Sequence, residues 1–205
     1  ALVPFAPLPW VVEDGDGFGL IEHATDVAAQ SLGRMRAFHG QMGMFVRAYA
    51  YMLSLGAEGL RQVSEDAVLA ANYLLAELDG DLTPSFPGPC MHEVLFDERF
   101  LKDTGVTTLD YAKALIDEGF HPMTIYFPLV VHGALLTEPT ESESKESLDQ
   151  LIAAMRRLVQ RARSGDTEFF QMAPRHAPRR RIDETRAARN PVLRWRPPGK
   201  DQPAE

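Results

Sequence analysis

The chain has 205 residues, of which 45% are hydrophobic and 24% charged, and these ordinary globular values exclude wholesale disorder. The net charge of −8 is uneven: residues 1–173 hold 12 basic against 25 acidic residues, whereas residues 174–200 hold nine basic against two acidic ones. An acidic body argues against nucleic acid as the main partner, because phosphate binding requires a basic face. The single cysteine excludes an intrachain disulfide and a thiolate zinc cluster, and no apolar run reaches the roughly 18 residues that span a bilayer.

The chain begins with the proline-rich stretch ALVPFAPLPW. It lacks an initiator Met and a basic region, and its prolines do not suit the core of a signal peptide. We therefore expect it to be the interior of a longer protein. The DGDG at 14–17 is typical of a tight turn, and the FGLI that follows predicts a short strand.

Two helices are predicted next. Apolar residues recur at spacings of three and four from Phe38 to Met52, which predicts a helix from about 44 to 55 that ends at Gly56. Three glycines at 33, 40 and 43 indicate either close backbone approach or an interrupted helix start. Residues 57–78 carry the clearest helical periodicity, with a stop at Gly80.

The middle of the chain mixes strands and helices. Residues 91–97, MHEVLFD, alternate apolar and polar side chains and predict a strand. A short helix follows, with Thr107 or Thr108 as its N-cap and Gly119 as its C-cap. The apolar stretches 124–130 and 133–137 are compatible with a hairpin.

The polar string TEPTESESKESLD, residues 137–149, allows three interpretations: an acidic linker, a helix start, or part of a site. Behind it, apolar residues from Leu148 to Val159 recur with helical spacing. Ser142 or Ser144 is placed to cap that helix, and the acids lie near the positive end of its dipole. Ser142 to Asp149 therefore predicts a helix N-terminus, and the role of residues 138–141 stays open.

This order of elements predicts an α+β fold, in which a small and mostly antiparallel sheet is covered by helices. We expect an N-terminal helical segment over residues 1–56, a small α+β domain over 57–173 and an extended basic tail over 174–205. Within the tail, RNPVLRWRPP is the expected apolar anchor.

Residue chemistry alone does not assemble an active site. The chain has no phosphate-binding glycine loop, no nucleophile elbow and no HExxH. His92 and Glu93 form a lone dipeptide on the predicted strand, so no metal site is expected. His121 lies on a loop, where functional residues concentrate, but it is a single residue. The lysines, at 102, 113, 145 and 200, all sit in polar contexts that do not suit a Schiff-base lysine.

Several stretches taken together resemble a known family. RMRAFHGQMGMFVRAYAYMLSLGAEGLRQVSEDAVLAANYLLAEL, MHEVLFD, GFHPMTIYFP, LLTEPTESESKESLD and RRRIDETRAARNPVLRWRP are similar to the glycine-cleavage P-proteins, the decarboxylating glycine dehydrogenases that use pyridoxal phosphate. The likeness runs from about residue 3 to 197 and is greatest to the C-terminal part of subunit 2 in the two-subunit form. It implies the C-terminal domain of a fold-type-I pyridoxal-phosphate enzyme, beginning after the cofactor lysine.

The resemblance also implies a function for the complete enzyme. It would decarboxylate glycine on pyridoxal phosphate and pass the aminomethyl group to the lipoyl arm of the H-protein, in the bacterial cytoplasm. The implied partners are the rest of subunit 2, subunit 1 in a heterotetramer, and the lipoylated H-protein, with no nucleic acid and no membrane. The family's His-Lys motif and Gly-rich stretch are missing here. We therefore expect this chain to contain no catalytic residue, to bind no cofactor covalently and to be inactive alone.

The resemblance points to loops that would face the cofactor cleft or a neighbouring subunit. The expected cofactor-binding or cleft-lining residues are His39, Gly40, Gln41, His92, Glu93, His121, Thr124, Glu138, Thr140 and Glu141.

Two alternatives remain. The first keeps the fold without the enzyme, as a non-catalytic assembly or interaction module derived from such a domain. An aminotransferase small domain is disfavoured, because those domains offer an arginine for the substrate carboxylate late in the sheet region, and none lies between Arg99 and Arg156.

Overall fold

The computed structural model describes residues 3–23, 29–35 and 40–194. The fold divides into two compact units, Ala1–Ala57 and Glu58–Glu205. Among the described helices, none combines the length and apolar character required to cross a membrane. The predicted tail boundary at residue 174 stays a prediction.

The first unit opens with a β-hairpin. Strand β1 (Trp10–Asp14) pairs antiparallel with β2 (Gly17–Ile21) across a turn in which Gly15 has a φ of 60°. That left-handed conformation favours glycine, so the turn signal in DGDG is confirmed, as is the strand at FGLI. The partner strand β1 was not predicted, because its exposed side chains leave little apolar alternation to detect.

Helix α1 (Met42–Glu77) is interrupted at Gly56, whose φ of 64° and ψ of −176° are not helical. The prediction of two helices that meet at this glycine is confirmed. Every residue from 42 to 54 is exposed, although many are large and apolar. In the second unit, by contrast, Ala70, Ala71 and Leu74 are buried on one face of the helix.

The second unit contains a four-stranded antiparallel sheet in the order β3-β4-β6-β5. Its strands are β3 (Thr83–Pro84), β4 (Val94–Asp97), β5 (Thr124–Ile125) and β6 (Leu135–Thr137). Leu135 lies opposite Phe96 on one side and Ile125 on the other. The predicted α+β class with a small antiparallel sheet is confirmed.

Four helices follow or flank the sheet. They are α2 (Thr108–Asp117), α3 (Lys145–Arg163), α4 (Thr167–Gln171) and α5 (Glu184–Arg189). A 3₁₀ turn, Glu98–Leu101, continues from β4. Thr107 caps α2 in a reciprocal capping box with Asp110, and Ser144 caps α3, so one of the two residues proposed for each cap is correct. Glu118 takes the C-cap position of α2 in place of the predicted Gly119, which follows it with a φ of 90°.

One hydrophobic core joins the sheet to α1, α2, α3 and α4. Tyr111 is fully buried at its centre, and its hydroxyl donates to the Met155 carbonyl at 3.0 Å. Its ring meets Phe100 edge-on, with centroids 5.3 Å apart. The largest fully buried side chains around it are Phe96, Phe170, Leu74, Leu78, Leu115, Leu135, Met155 and Leu158.

Two strand predictions were too long. The predicted strand 91–97 begins only at Val94, so His92 and Glu93 lie in the loop before it. The apolar stretch 124–130 leaves the sheet after Ile125, because Tyr126 adopts a φ of 59°. Short apolar runs do not distinguish strand from loop, and here the chain turns away from the sheet before its apolar run ends.

The tail differs from its prediction in two ways. It contains the short helix α5. Val192 and Leu193 are each 90% exposed, so the prediction that they anchor the tail is wrong. Trp195 and the residues that follow it in the predicted anchor lie outside the described residues. Arginines fasten the tail instead. Arg175 pairs with Asp117, whose side chain is only 3% exposed, and Arg181 pairs with Asp110.

Candidate functional site

Three loops with candidate residues meet at one end of the sheet. The register places Val94 opposite Thr137 and Thr124 opposite Leu136. His92 and Glu93 come immediately before β4, and Glu138 comes immediately after β6. His121 precedes β5. Because neighbouring strands run antiparallel, the start of β4, the start of β5 and the end of β6 share the same sheet end, so these segments are neighbours.

His92 stands between two carboxylates. Its Nε2 lies 3.8 Å from an oxygen of Glu93 and 3.9 Å from an oxygen of Glu138, and the three side chains are 54%, 39% and 56% exposed. One ligand atom from each lies within 4.8 Å of the others. An imidazole flanked by carboxylates can hold or pass a proton, and the same donor types bind divalent cations. The third group, Glu138, was missed as a partner of His92, and the expectation that no metal binds here stays a prediction.

A cavity of about 410 Å³ adjoins this group. His121 and Thr124 line it from the β5 side, and Glu138 lines it from the end of β6. Its apolar lining includes Phe120, Met123, Leu136, Leu148 and Leu151. An apolar floor with a few convergent polar groups is the usual composition of a small-molecule site.

Thr140 and Glu141 line a second cavity, of about 360 Å³, on the α1 side of α3. Lys145 and Tyr73 also line it, and both bind Asp149: the Lys145 Nζ lies 2.7 Å from Asp149 Oδ2, and the Tyr73 hydroxyl donates to Asp149 Oδ1 at 2.5 Å. The hydrogen bond to Asp149, with a further one to Tyr73, raises the pKa of Lys145, so this amine stays protonated.

Sequence reasoning missed one residue common to both cavities. Glu143 lines each of them, and its carboxylate accepts a hydrogen bond of 2.6 Å from the Ser147 hydroxyl. The prediction explained this acid by the helix dipole alone. Its i,i+4 spacing to Ser147 was the signal that could have identified the pair.

Two of the predicted residues belong to the first unit. Gly40 has a φ of 109°, and the carbonyl of Gln41 accepts from the backbone of Met44 and Phe45 as α1 begins. Their role in a cleft stays a prediction. His39 lies outside the described residues.

A further cavity, of about 830 Å³, was not predicted and lies at the other end of β4. Beside it, Glu98 binds the His132 Nδ1 at 2.5 Å and accepts from the Thr108 hydroxyl at 3.2 Å. Thr108 also donates to the Gly133 carbonyl at 3.1 Å, so this group fixes the loop that precedes β6. We place the candidate site at the sheet end that holds His92, because the predicted residues of three loops converge there.

Comparison with known proteins identifies the family. The profile for the glycine dehydrogenase C-terminal domain matches residues 63–178, more than half of the chain. The chain is 67% identical over 199 residues to a probable glycine dehydrogenase (decarboxylating) subunit 2 of Caulobacter vibrioides, a match that covers 96% of this chain and 38% of that protein. Proteins of the same name from Oceanobacillus iheyensis and Kosmotoga olearia are 45% and 44% identical, over 96% of this chain and 39% and 40% of their own lengths.

A solved structure agrees on the fold. The crystal structure of glycine decarboxylase (P-protein) of the glycine cleavage system, in an inhibitor-bound form, matches 76% of this chain and 36% of its own, with a TM-score of 0.53 and 23% identity. The chain spans about two fifths of the length of the curated relatives it matches. On the strength of the profile match across residues 63–178, this chain belongs to the glycine dehydrogenase C-terminal domain family.

Proposed function

We propose that this chain forms the C-terminal part of a decarboxylating glycine dehydrogenase of the glycine cleavage system. One observation carries the proposal: 67% identity across 199 residues to a probable subunit 2 of that enzyme. In the complete enzyme, glycine is the substrate, pyridoxal phosphate is the cofactor and the lipoyl arm of the H-protein accepts the aminomethyl group. Subunit 1 and the remainder of subunit 2 are the proposed partners.

The described lysines do not suit a covalent bond to pyridoxal phosphate. Lys145 is held as a charged ammonium by Asp149 and Tyr73, whereas a Schiff-base lysine must lose its proton. Lys102 is exposed, Lys113 is half-buried, and Lys200 lies outside the described residues. We therefore assign attachment of the cofactor to another part of the complete enzyme. When bound there, the cofactor supplies the electron sink for decarboxylation.

The proposed contribution of this chain is one wall of the reaction cleft, at the sheet end that holds His92. The imidazole of His92 lies between the carboxylates of Glu93 and Glu138, where it can exchange a proton with a ligand in the neighbouring cavity. Thr124 and His121 border that cavity and can orient a ligand through hydrogen bonds.

The test uses the chain within its natural subunit, assembled with subunit 1, pyridoxal phosphate and H-protein. We expect exchange between labelled bicarbonate and the carboxyl group of glycine. His92→Ala and Glu138→Gln should each lower kcat by about 100-fold or more, the scale of a lost acid–base group. The matched controls are His23→Asn and Glu58→Gln, which change exposed residues that line neither of the two cavities at this site. Their kcat should equal that of the unmodified enzyme.

The two possible failures are distinguishable. If the unmodified assembly does not exchange bicarbonate, the proposed function is wrong. If it does, and His92→Ala exchanges at the full rate, only the role of the sheet-end group is wrong.

A non-catalytic assembly module is the second candidate. The exposed apolar side chains on the first half of α1, among them Phe45, Tyr49 and Leu53, favour it, because large exposed apolar surfaces mark interaction sites. An enzyme subunit also needs such surfaces, so the bicarbonate exchange decides between the two.

A further inference from the structure

The side chains of His92, Glu93 and Glu138 converge without forming hydrogen bonds to one another. The His92 Nε2 lies 3.8 Å from an oxygen of Glu93 and 3.9 Å from an oxygen of Glu138. An N–H···O hydrogen bond is shorter, at about 2.7–3.2 Å. One ligand atom from each side chain nevertheless lies within 4.8 Å of the other two. The three groups therefore leave between them a gap that is wider than a hydrogen bond.

A second pair of histidine and glutamate, at the other end of β4, shows the contrast. The His132 Nδ1 lies 2.5 Å from an oxygen of Glu98, and this direct contact leaves no room for an ion. Glu93 and Glu138 are placed differently, because in the described part of the chain neither forms an ion pair with an arginine or a lysine. Two carboxylates that approach one imidazole without a cation of their own attract one.

We propose that His92, Glu93 and Glu138 bind a divalent transition-metal ion of the zinc type. The sequence-based expectation that no metal binds here rested on His92 and Glu93 as a lone dipeptide. The pairing of β4 with β6 brings Glu138 to them as a third ligand. Imidazole nitrogen and carboxylate oxygen both bind zinc, and three protein ligands leave one position for water or another molecule. The proposal concerns binding of the ion alone and does not depend on the proposed function.

The distances suit a metal ion of this size. Bonds of about 2.0–2.2 Å place two ligand atoms of a tetrahedral zinc ion about 3.3–3.6 Å apart. The two distances measured from His92 exceed that range by a few tenths of an ångström. The side chains of His92, Glu93 and Glu138 are 54%, 39% and 56% exposed, so they are free to rotate by the small amount that closes them around an ion.

The neighbouring cavity of about 410 Å³ supplies an independent observation that points to a ligand. Glu138 and Thr137 both line this cavity. Thr137 is only 8% exposed, and its hydroxyl has no hydrogen-bond partner among the described residues. Buried hydroxyls are almost always hydrogen-bonded. A water or other molecule that extends from the open position of the ion into the cavity would give this hydroxyl a partner.

Cys90 is the competing donor, because it lies two residues before His92. Burial raises the pKa of the Cys90 thiol above its usual value, and a backbone hydrogen bond offsets only part of this effect. The thiol therefore stays protonated, and a protonated thiol is a poor metal ligand. The Cys90→Ser variant separates a site that uses the thiol from one that uses the carboxylates.

Isothermal titration of the full chain with ZnCl₂ tests the site. We expect one bound ion per chain. His92→Asn, Glu93→Gln and Glu138→Gln should each weaken binding at least tenfold, since even the loss of a group that only supports a ligand costs about 10- to 100-fold. The controls His132→Asn and Cys90→Ser should bind as the unmodified chain does. No saturable binding at about 0.1 mM Zn²⁺, or equal binding by His92→Asn and His132→Asn, overturns the proposal.

Cobalt(II) identifies the donor atoms in the unmodified chain. In a tetrahedral site this ion gives visible bands much stronger than those of the hydrated ion, and a thiolate ligand adds a charge-transfer band in the near ultraviolet. We expect the visible bands without the thiolate band, and added Zn²⁺ should displace the ion and remove them. A thiolate band, or visible bands that persist in His92→Asn, would show that the ion binds elsewhere.

Thermal unfolding provides a check that does not assume intact variants. Without metal, His92→Asn and His132→Asn should unfold cooperatively, because both side chains are exposed. Added Zn²⁺ should raise the Tm of the unmodified chain and of His132→Asn but leave that of His92→Asn unchanged, since an ion that binds only the folded site stabilises it. A rise of equal size in both variants contradicts the assignment.

Discussion

Arg181 lies 2.6 Å from Asp110 and so joins the C-terminal tail to the first turn of α2. Asp110 serves twice, because its carboxylate also accepts from the backbone and hydroxyl of Thr107 in the capping box. Arg181 in turn donates to the carbonyls of Phe170 and Ala173 at the end of α4. One ion pair therefore links the tail, the start of α2 and the end of α4.

Asp110→Asn should lower the free energy of unfolding by about 1–3 kcal/mol, because it weakens a cap and leaves Arg181 without its charge partner. Arg181→Gln should cost about 1 kcal/mol or less, since that side chain is partly exposed and screened by solvent. Urea denaturation of both variants and of the double variant measures the coupling. An Asp110→Asn protein as stable as the unmodified chain would contradict this account.

The carboxylate of Asp117 makes the free energy of unfolding fall at low pH. Burial alone would raise the pKa of Asp117, but hydrogen bonds from the backbone N–H groups of His176 and Arg175 outweigh it and hold the pKa below its usual value. The folded pKa is therefore lower than the unfolded value of about 3.9, and the unfolded chain binds more protons in acid. The stabilisation is complete above about pH 5 and is lost as the pH falls through the folded pKa.

Asp117→Asn should flatten the acid limb of the stability curve. The measurement is the free energy of unfolding in urea between about pH 7 and pH 3, with Glu58→Gln as a control whose carboxyl is exposed. The unmodified chain and the control should lose stability in parallel. Asp117→Asn should have a lower free energy of unfolding at about pH 7 and should lose less of it towards about pH 3. If this loss is equal in all three proteins, Asp117 is not a source of the pH dependence.

Gly133 is the glycine whose replacement should cost most. It has a φ of 60°, and a Cβ there would overlap the side chain of Glu98, which His132 and Thr108 hold in place. Gly133→Ala should lower the free energy of unfolding by about 2–4 kcal/mol, combining backbone strain with the loss of those contacts. Gly165→Ala is the matched control, with a φ of 84° and open space around the added carbon. Thermal unfolding of the two variants compares their losses of stability. Equal losses would exclude a steric contribution from the overlap with Glu98.

The hydroxyl of Tyr111 is expected to contribute to stability without ever ionising. Burial raises the pKa of Tyr111 far above its usual value, with the charge of Asp81 adding to the effect. Tyr111→Phe keeps the ring against Phe100 but removes the hydrogen bond from its hydroxyl to the Met155 carbonyl, which should cost about 1 kcal/mol. Absorbance at alkaline pH should show one tyrosine fewer ionising in the folded chain than after unfolding. Ionisation of all five tyrosines in the folded chain would contradict its burial.

Features that depend only on neighbouring residues could be predicted from the sequence. The break at Gly56 and the cap at Thr107 each depend on residues within a few positions, so a pattern in the sequence is sufficient. The grouping of His92 with Glu138 depends on the pairing of β4 with β6, which joins residues about 45 positions apart. Strands of two to four residues carry too little alternation to reveal that pairing.

The tail shows a second limit of sequence reasoning. Apolar residues were expected to anchor it, yet arginines do so by reaching carboxylates on α2, and Val192 and Leu193 remain exposed. Net charge identified the tail as basic, but composition does not say which arginine meets which acid. The partner acids Asp110 and Asp117 lie on a helix about 60 to 70 residues earlier in the chain.

The first half of α1 should drive self-association that salt does not weaken. Phe45, Tyr49 and Met52 recur at helical spacing and are about half exposed or more, so they form an apolar stripe. The variant F45S/Y49S/M52S should shift sedimentation towards the monomer at both low and high NaCl. L129S is the control, since Leu129 is an exposed leucine outside this helix. A clean monomer of the unmodified chain at high NaCl over a wide concentration range would show that this stripe does not self-associate.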